Sequence, residues 1–149
     1  MKNMRYLIIP GFIAVAILFW GLAAPSDAAQ EDTHEGPALV EPVEGTELSR
    51  VTLTERAAQR LDIQIAEARD EQIDGQTRRV IPYSAVIYDA NGNAWTYTNP
   101  EPLVYIREAI TIERIDGDLA ILSVGPVVGT QVVSVGGALL FGTEFGVGH

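Results

Sequence analysis

Beyond residue 50 the apolar residues of this chain fall in short β-rich runs, some alternating with polar residues and separated by turn signals, and only one short stretch carries the period of a helix. Thr52-Leu53-Thr54-Glu55 matches the S/T-x-x-E capping signal. Ala57, Ala58 and Leu61 then share one side, which predicts a helix of about two turns ending near Leu61 or Asp62. From Asp62 the period drops to two: Ile63 and Ile65 alternate with Asp62 and Gln64, a strand that weakens through Glu67, Ala68 and Arg69. Asp70-Glu71 and Asp74-Gly75-Gln76 read as a turn or short connection, and Thr77 to Ile81 as the next strand.

The strongest local signal is the run from Pro82 to Tyr97. Asn91-Gly92 separates the β-rich arms Tyr83–Tyr88 and Ala94–Thr98, and this dipeptide tolerates the positive φ angles of a tight hairpin. Asn99-Pro100-Glu101-Pro102 predicts a loop, because two prolines cannot both donate to a ladder. Leu103 to Ile115 reads as one long strand, with Ile106, Ile110 and Ile112 set against Arg107, Thr111 and Glu113. Asp116-Gly117-Asp118 closes a second hairpin onto Leu119–Val124. Gly125-Pro126 breaks the pattern, Val127-Val128-Gly129 turns, and Gln131 to Val135 is the last strand, followed by a glycine-rich tail read without a helix. The expected fold is mainly β: a small antiparallel barrel-like or sandwich-like domain over residues 50–149 with one short helix.

The N-terminal third follows another pattern. Lys2 and Arg5 precede eighteen uncharged, mostly apolar residues from Leu7 to Ala24, and acidic residues follow. That arrangement keeps the N-terminus cytoplasmic and sends the remainder across a membrane. Residues 1–28 are therefore expected to be a signal peptide or a retained membrane anchor; Ser26-Asp27-Ala28 offers a cleavage pattern, while the apolar length approaches that of a spanning helix. Both place the domain on the extracytoplasmic side. Residues 29–49 hold Glu31, Asp32, Glu35, Glu41, Glu44 and Glu47 with no basic residue, and are expected to be a flexible acidic linker, since little apolar surface offsets chain entropy.

Charge and residue inventory narrow the chemistry. The formal net charge is −10, which repels a phosphate backbone, so nucleic acid is not an expected partner. With no cysteine, disulfides, thiolate nucleophiles and zinc fingers are excluded. His34 and His149 fall in the linker and at the extreme C-terminus, away from any wall that would orient them. No lysine follows Lys2, so the C-terminal glycines do not form a phosphate loop, and no serine sits in a Gly-x-Ser-x-Gly elbow. Asp116 and Asp118 flank a turn glycine, where aspartate bonds its own backbone. No catalytic group, cofactor or metal-ligand set is expected, and the chain does not read as an enzyme. Trp95, Tyr97 and Tyr105 have the strand spacing of core or cross-strand packing, with a stacking surface for a ligand as the alternative.

The segment Val80-Ile81-Pro82-Tyr83-Ser84-Ala85-Val86-Ile87-Tyr88-Asp89-Ala90-Asn91-Gly92-Asn93-Ala94-Trp95-Thr96-Tyr97 resembles the V-P-x-x-A-V-x-x-d-x-x-G-x-x-x-V-Y segment of periplasmic adaptor proteins (membrane fusion proteins) of tripartite efflux pumps. Ile106-Arg107 to Asp116-Gly117-Asp118 is similar to their f-x-x-r-x-V-x-x-G strand and turn. Gly129-Thr130-Gln131-Val132-Val133-Ser134-Val135-Gly136 is similar to G-D-x-V-V-x-x-G, and Val51-Thr52-Leu53-Thr54 through Ala68 to the opening of such adaptors. Thr130 stands where the family has an acidic residue and Pro126 where it has leucine. The resemblance implies a membrane-proximal β-domain that contacts an inner-membrane transporter of the resistance-nodulation-division type, or other adaptor subunits, with Tyr83, Asn91, Gly92, Trp95, Tyr97, Arg107, Gly129 and Gly136 as signature or contact residues. No heptad-patterned helices accompany it, so a reach to an outer-membrane channel is not implied. Two other readings stand beside it: an independent extracytoplasmic β-domain binding a ligand or envelope component through its aromatic face, and a remnant of a longer adaptor.

Overall fold

The computed structural model describes residues 36–146; the expected signal or anchor segment, His34 and His149 lie outside them. No helix among the described residues is long and apolar enough to cross a membrane. The described chain is mainly strand, arranged in two antiparallel sheets.

Order begins earlier than expected. β1 (Ala38–Pro42) lies inside the stretch read as linker and pairs antiparallel with β2 (Ser49–Leu53), Val40 opposite Val51. The acidic residues 41, 44 and 47 are thus on a hairpin rather than a free spacer; three adjacent apolar residues, Ala38 to Val40, suffice once a partner strand supplies the ladder. The helix α1 (Glu55–Arg60) forms where predicted, but its cap is Thr54, whose Oγ accepts from the Ala57 amide at 3.2 Å. Thr52 belongs to β2, so the capping-box reading is displaced by two residues.

β3 (Gln64–Glu67) follows directly, and then β4 (Arg69–Ile73) occupies the residues read as a connection. Its charged residues are compatible with a strand at a sheet edge. β4 turns into β5 (Gln76–Pro82) through Asp74 and Gly75, at φ of 52° and 75°, the two positive angles of a two-residue hairpin. A single 3-10 turn, Tyr83–Ala85, then replaces most of the expected first arm, leaving only β6 (Ile87–Tyr88) to pair with β7 (Ala94–Glu101). The loop between them has five residues, and Gly92, not Asn91, takes the positive φ. β7 also runs through Pro100 into the predicted loop; its ladder with β8 (Val104–Ala109) shifts register between Thr98 and Glu101, the kind of irregularity that accommodates a proline.

The long strand read from Leu103 to Ile115 is two strands. It divides at Ile110 into β8 and β9 (Thr111–Asp116), which belong to different sheets. β9 pairs with β10 (Leu119–Val124) across the expected Gly117-Asp118 turn, and β11 (Gln131–Val135) is the last strand. The tail forms a second helix, α2 (Gly137–Glu144), where none was expected.

The larger sheet has the order β1-β2-β8-β7-β11-β3 with β6 added beside β7, and the smaller one β4-β5-β10-β9. Neither closes into a barrel. One core lies between the larger sheet and the helices, around Val51, Leu53, Tyr97, Tyr105, Val133 and Leu140. The other joins the two sheets around Ala68, Ile81, Ala85, Ile110, Leu122 and Val132. Adjacent residues Val132 and Val133 enter opposite cores, so β11 buries an apolar side chain on each face.

Candidate functional site

Strand alternation places Trp95 and Tyr97 on one face of β7, and the β7–β8 register sets Arg107 directly across from Tyr97. The last turn of α2 crosses this face. Glu144 accepts hydrogen bonds on Oε2 from the Tyr97 hydroxyl and from Arg107 Nε, the latter at 2.8 Å. The Arg107 guanidinium lies 4.4 Å from the centroid of Trp95, 4.9 Å from Phe145 and 5.6 Å from Phe141, so aromatic faces surround the cation where water would otherwise hydrate it. Arg107 is only 6% exposed.

Burial, and next the bond to Glu144, push the Tyr97 hydroxyl far above the ordinary tyrosine range, while Arg107 acts in the opposite sense. The phenol therefore stays protonated and serves as a fixed donor. One carboxylate, one guanidinium and one neutral phenol satisfy each other in an enclosed setting. That arrangement holds α2 onto the sheet. The predicted aromatic face is accordingly not an open platform: Tyr97 and Tyr105 are buried in the helix-side core, and Arg107 roofs Trp95.

Asp89 links the hairpin loop to the same cluster. Its Oδ1 accepts from the amides of Asn91 and Asn93, and its Oδ2 from Asn93 Nδ2 and from Trp95 Nε1 at 3.1 Å. These bonds, that from the Asn93 side chain foremost, lower the Asp89 carboxyl from 3.8 to about 2. A depressed folded value means the loop is stabilised above the unfolded value near 3.8 and loses that contribution as pH falls through about 2. An NMR titration of the Trp95 indole N–H should therefore show its transition near pH 2; a midpoint near pH 4 would contradict the bonding scheme.

The remaining signature residues are dispersed. Asn91 and Gly92 sit exposed at the loop and reach the cluster only through Asp89. Tyr83 lies half exposed on the 3-10 turn, where its amide donates to Asp118 O at 2.8 Å. It neighbours Tyr88, whose hydroxyl is raised by partial loss of water and then by Tyr83. Gly129, at φ of 90°, turns the chain into β11 and donates its amide to Ala68 O. Gly136 starts α2 at φ of 88°, and a Cβ there would stand 2.5 Å from Ile63 Cδ1 and 3.0 Å from Leu61 O. Glu144 and Asp89 were the residues sequence reasoning passed over. Asp89 carried a readable signal, an aspartate just ahead of Asn-Gly-Asn; Glu144, in a glycine-rich tail, carried none.

Comparison with models of known protein families, with curated proteins and with solved structures finds no match for this chain. Two further surface features complete the picture. A groove of about 470 Å³ runs beside β1, lined by Ala38, Val40, Leu53, Ala57, Leu61 and Gly142. Among the described residues, no group of three or more histidine, aspartate or glutamate side chains is placed to hold a metal ion.

Proposed function

We propose that this chain is a non-enzymatic, extracytoplasmic component of an export system, held at the membrane by its N-terminal apolar segment and contacting an inner-membrane transporter of the resistance-nodulation-division type. The observation that carries the reading is how the adaptor-like segments meet. Val80–Tyr97, Ile106–Asp118 and Gly129–Gly136 are separate in sequence, yet β7 is hydrogen-bonded to both β8 and β11, and the 3-10 turn packs against β11. The three segments thus form one contiguous body, as parts of a single adaptor-like unit would. The alternative of a ligand-binding aromatic face loses its support with Tyr97 and Tyr105 buried.

A contact surface of this kind presents exposed apolar side chains, and Tyr83 and Tyr88 supply them on the signature segment itself. Photo-reactive residues introduced at Tyr83 and Tyr88 in native membranes should yield adducts with a polytopic inner-membrane transporter, identified by mass spectrometry. Adducts confined to this chain or to unrelated soluble proteins would overturn the proposal.

A further inference from the structure

β1 lies outside the residues that carry the adaptor likeness, and among the described residues its outer edge has no partner strand. The outer strand β3 has four residues and one charge, Glu67, while the outer strands β4 and β9 carry charged residues along their length: Arg69, Asp70 and Glu71; Glu113, Arg114 and Asp116. Such charges discourage further pairing. β1 has its charge and its proline, Glu41 and Pro42, only at its end and begins with Ala38-Leu39-Val40, with Leu39 55% and Val40 39% exposed.

The hydrogen-bond parity of this edge is determined by its flanks. The Thr54 amide donates to Pro37 O and the Val43 amide to Leu48 O, so residues 37, 39, 41 and 43 direct their backbone groups at β2. Ala38 and Val40 therefore turn their N–H and C=O groups outward, and Pro42 presents a carbonyl with no N–H.

We infer that β1 pairs antiparallel with β1 of a second copy of this chain, about a twofold axis at Leu39. In that register Ala38 of each copy exchanges two backbone hydrogen bonds with Val40 of the other, four in all. Leu39 meets Leu39 as a close, non-hydrogen-bonded pair, which covers the most exposed apolar side chain of the strand. The register also avoids a like-charge pair within the strands. Glu41 falls opposite Pro37 of the second copy, not opposite another Glu41, so the acidic hairpins are kept apart. Val40 of the second copy comes beside Ala38, at the rim of the apolar groove. A one-residue slip would lose these features: centred on Val40, each Ala38 faces a Pro42 that cannot donate, and each Leu39 faces a Glu41.

The chain has no cysteine, so a single introduced one reports without background. Leu39→Cys places two thiols at the twofold axis, within the Cα separation a disulfide spans. Full-length Leu39→Cys chain in native membranes should form a covalent dimer under mild oxidation at least tenfold faster than Val124→Cys or Leu139→Cys, both at exposed sites elsewhere. Adding Val40→Pro, which removes an outward N–H and leaves the β1–β2 ladder whole, should abolish the excess. Dimer formation no faster than in the two controls, or undiminished by Val40→Pro, would overturn the inference, as would a covalent adduct with a different protein in place of the dimer. A carbonate wash of the same membranes reads membrane attachment separately, so failure of the anchor proposed above is distinguishable from failure of the pairing.

Discussion

Replacing Glu144 with leucine is expected to lower the unfolding free energy by about 3–5 kcal/mol, the usual cost of leaving one partner of a buried ion pair without the other. The setting meets the conditions for that cost. The side chains of Arg107 and Glu144 are 7% and 2% exposed, and the guanidinium is enclosed by Trp95, Phe141 and Phe145. A loss of this size is a large share of the roughly 5–15 kcal/mol that holds a domain folded. The double variant Arg107→Met, Glu144→Leu should recover much of it, because an apolar pair of similar volume carries no desolvation cost. Tyr97→Phe added to that pair removes the last orphaned donor, and should help further by about 1 kcal/mol or more. Urea unfolding of the full chain in detergent measures all three. A Glu144→Leu change within about 0.5 kcal/mol of the parent, the range of ordinary surface substitutions, would show that α2 is not held by this carboxylate.

Gly136→Ala should be the next most damaging single change, at about 2–5 kcal/mol. Two costs add: a left-handed backbone with a Cβ, about 1–2 kcal/mol, and overpacking, about 1–3 kcal/mol. The contacts are specific, since the new methyl would meet Ile63 Cδ1 at 2.5 Å and the Leu61 carbonyl, a backbone atom that cannot simply rotate away, at 3.0 Å. Gly129→Ala isolates the first cost. Its φ of 90° is equally left-handed, but nothing lies within 4 Å of the added Cβ, so a loss of only about 1–2 kcal/mol is expected. Equal losses in the two variants, read from the same unfolding curves, would mean that the packing of α2 against the β3 approach is not tight. Gly136 and Gly129 thus resemble each other in the sequence and differ in their surroundings.

Local chemistry made much of the domain legible. Aliphatic runs announced β10 and β11, Gly117-Asp118 announced a hairpin, Asp74-Gly75 announced a turn though not the strand β4 before it, and Ala57, Ala58 and Leu61 announced α1. Of the candidate site, Trp95, Tyr97 and Arg107 were visible as signature residues. Their closure was not visible, because Glu144 lies 37 residues beyond Arg107 and 47 beyond Tyr97, in a tail whose glycines argue against a helix. α2 forms there because Leu140 is buried and Glu144 is bound, tertiary gains that outweigh weak propensity.

The sequence by itself determined the class of the domain, its turns and the absence of thiol chemistry, since each depends on residues that act within a few positions of one another. Only the tertiary structure decided which sheet each strand joins. Residues 103–115 have one unbroken β pattern, and nothing local says that the chain leaves the larger sheet at Ile110; that follows from the burial of Ile110 between the sheets and from its amide bonding to Ala94 O. The same holds for β1. An acidic stretch whose longest aliphatic run is Ala38 to Val40 has too little surface to order itself, and becomes a strand because β2 supplies the ladder it lacks.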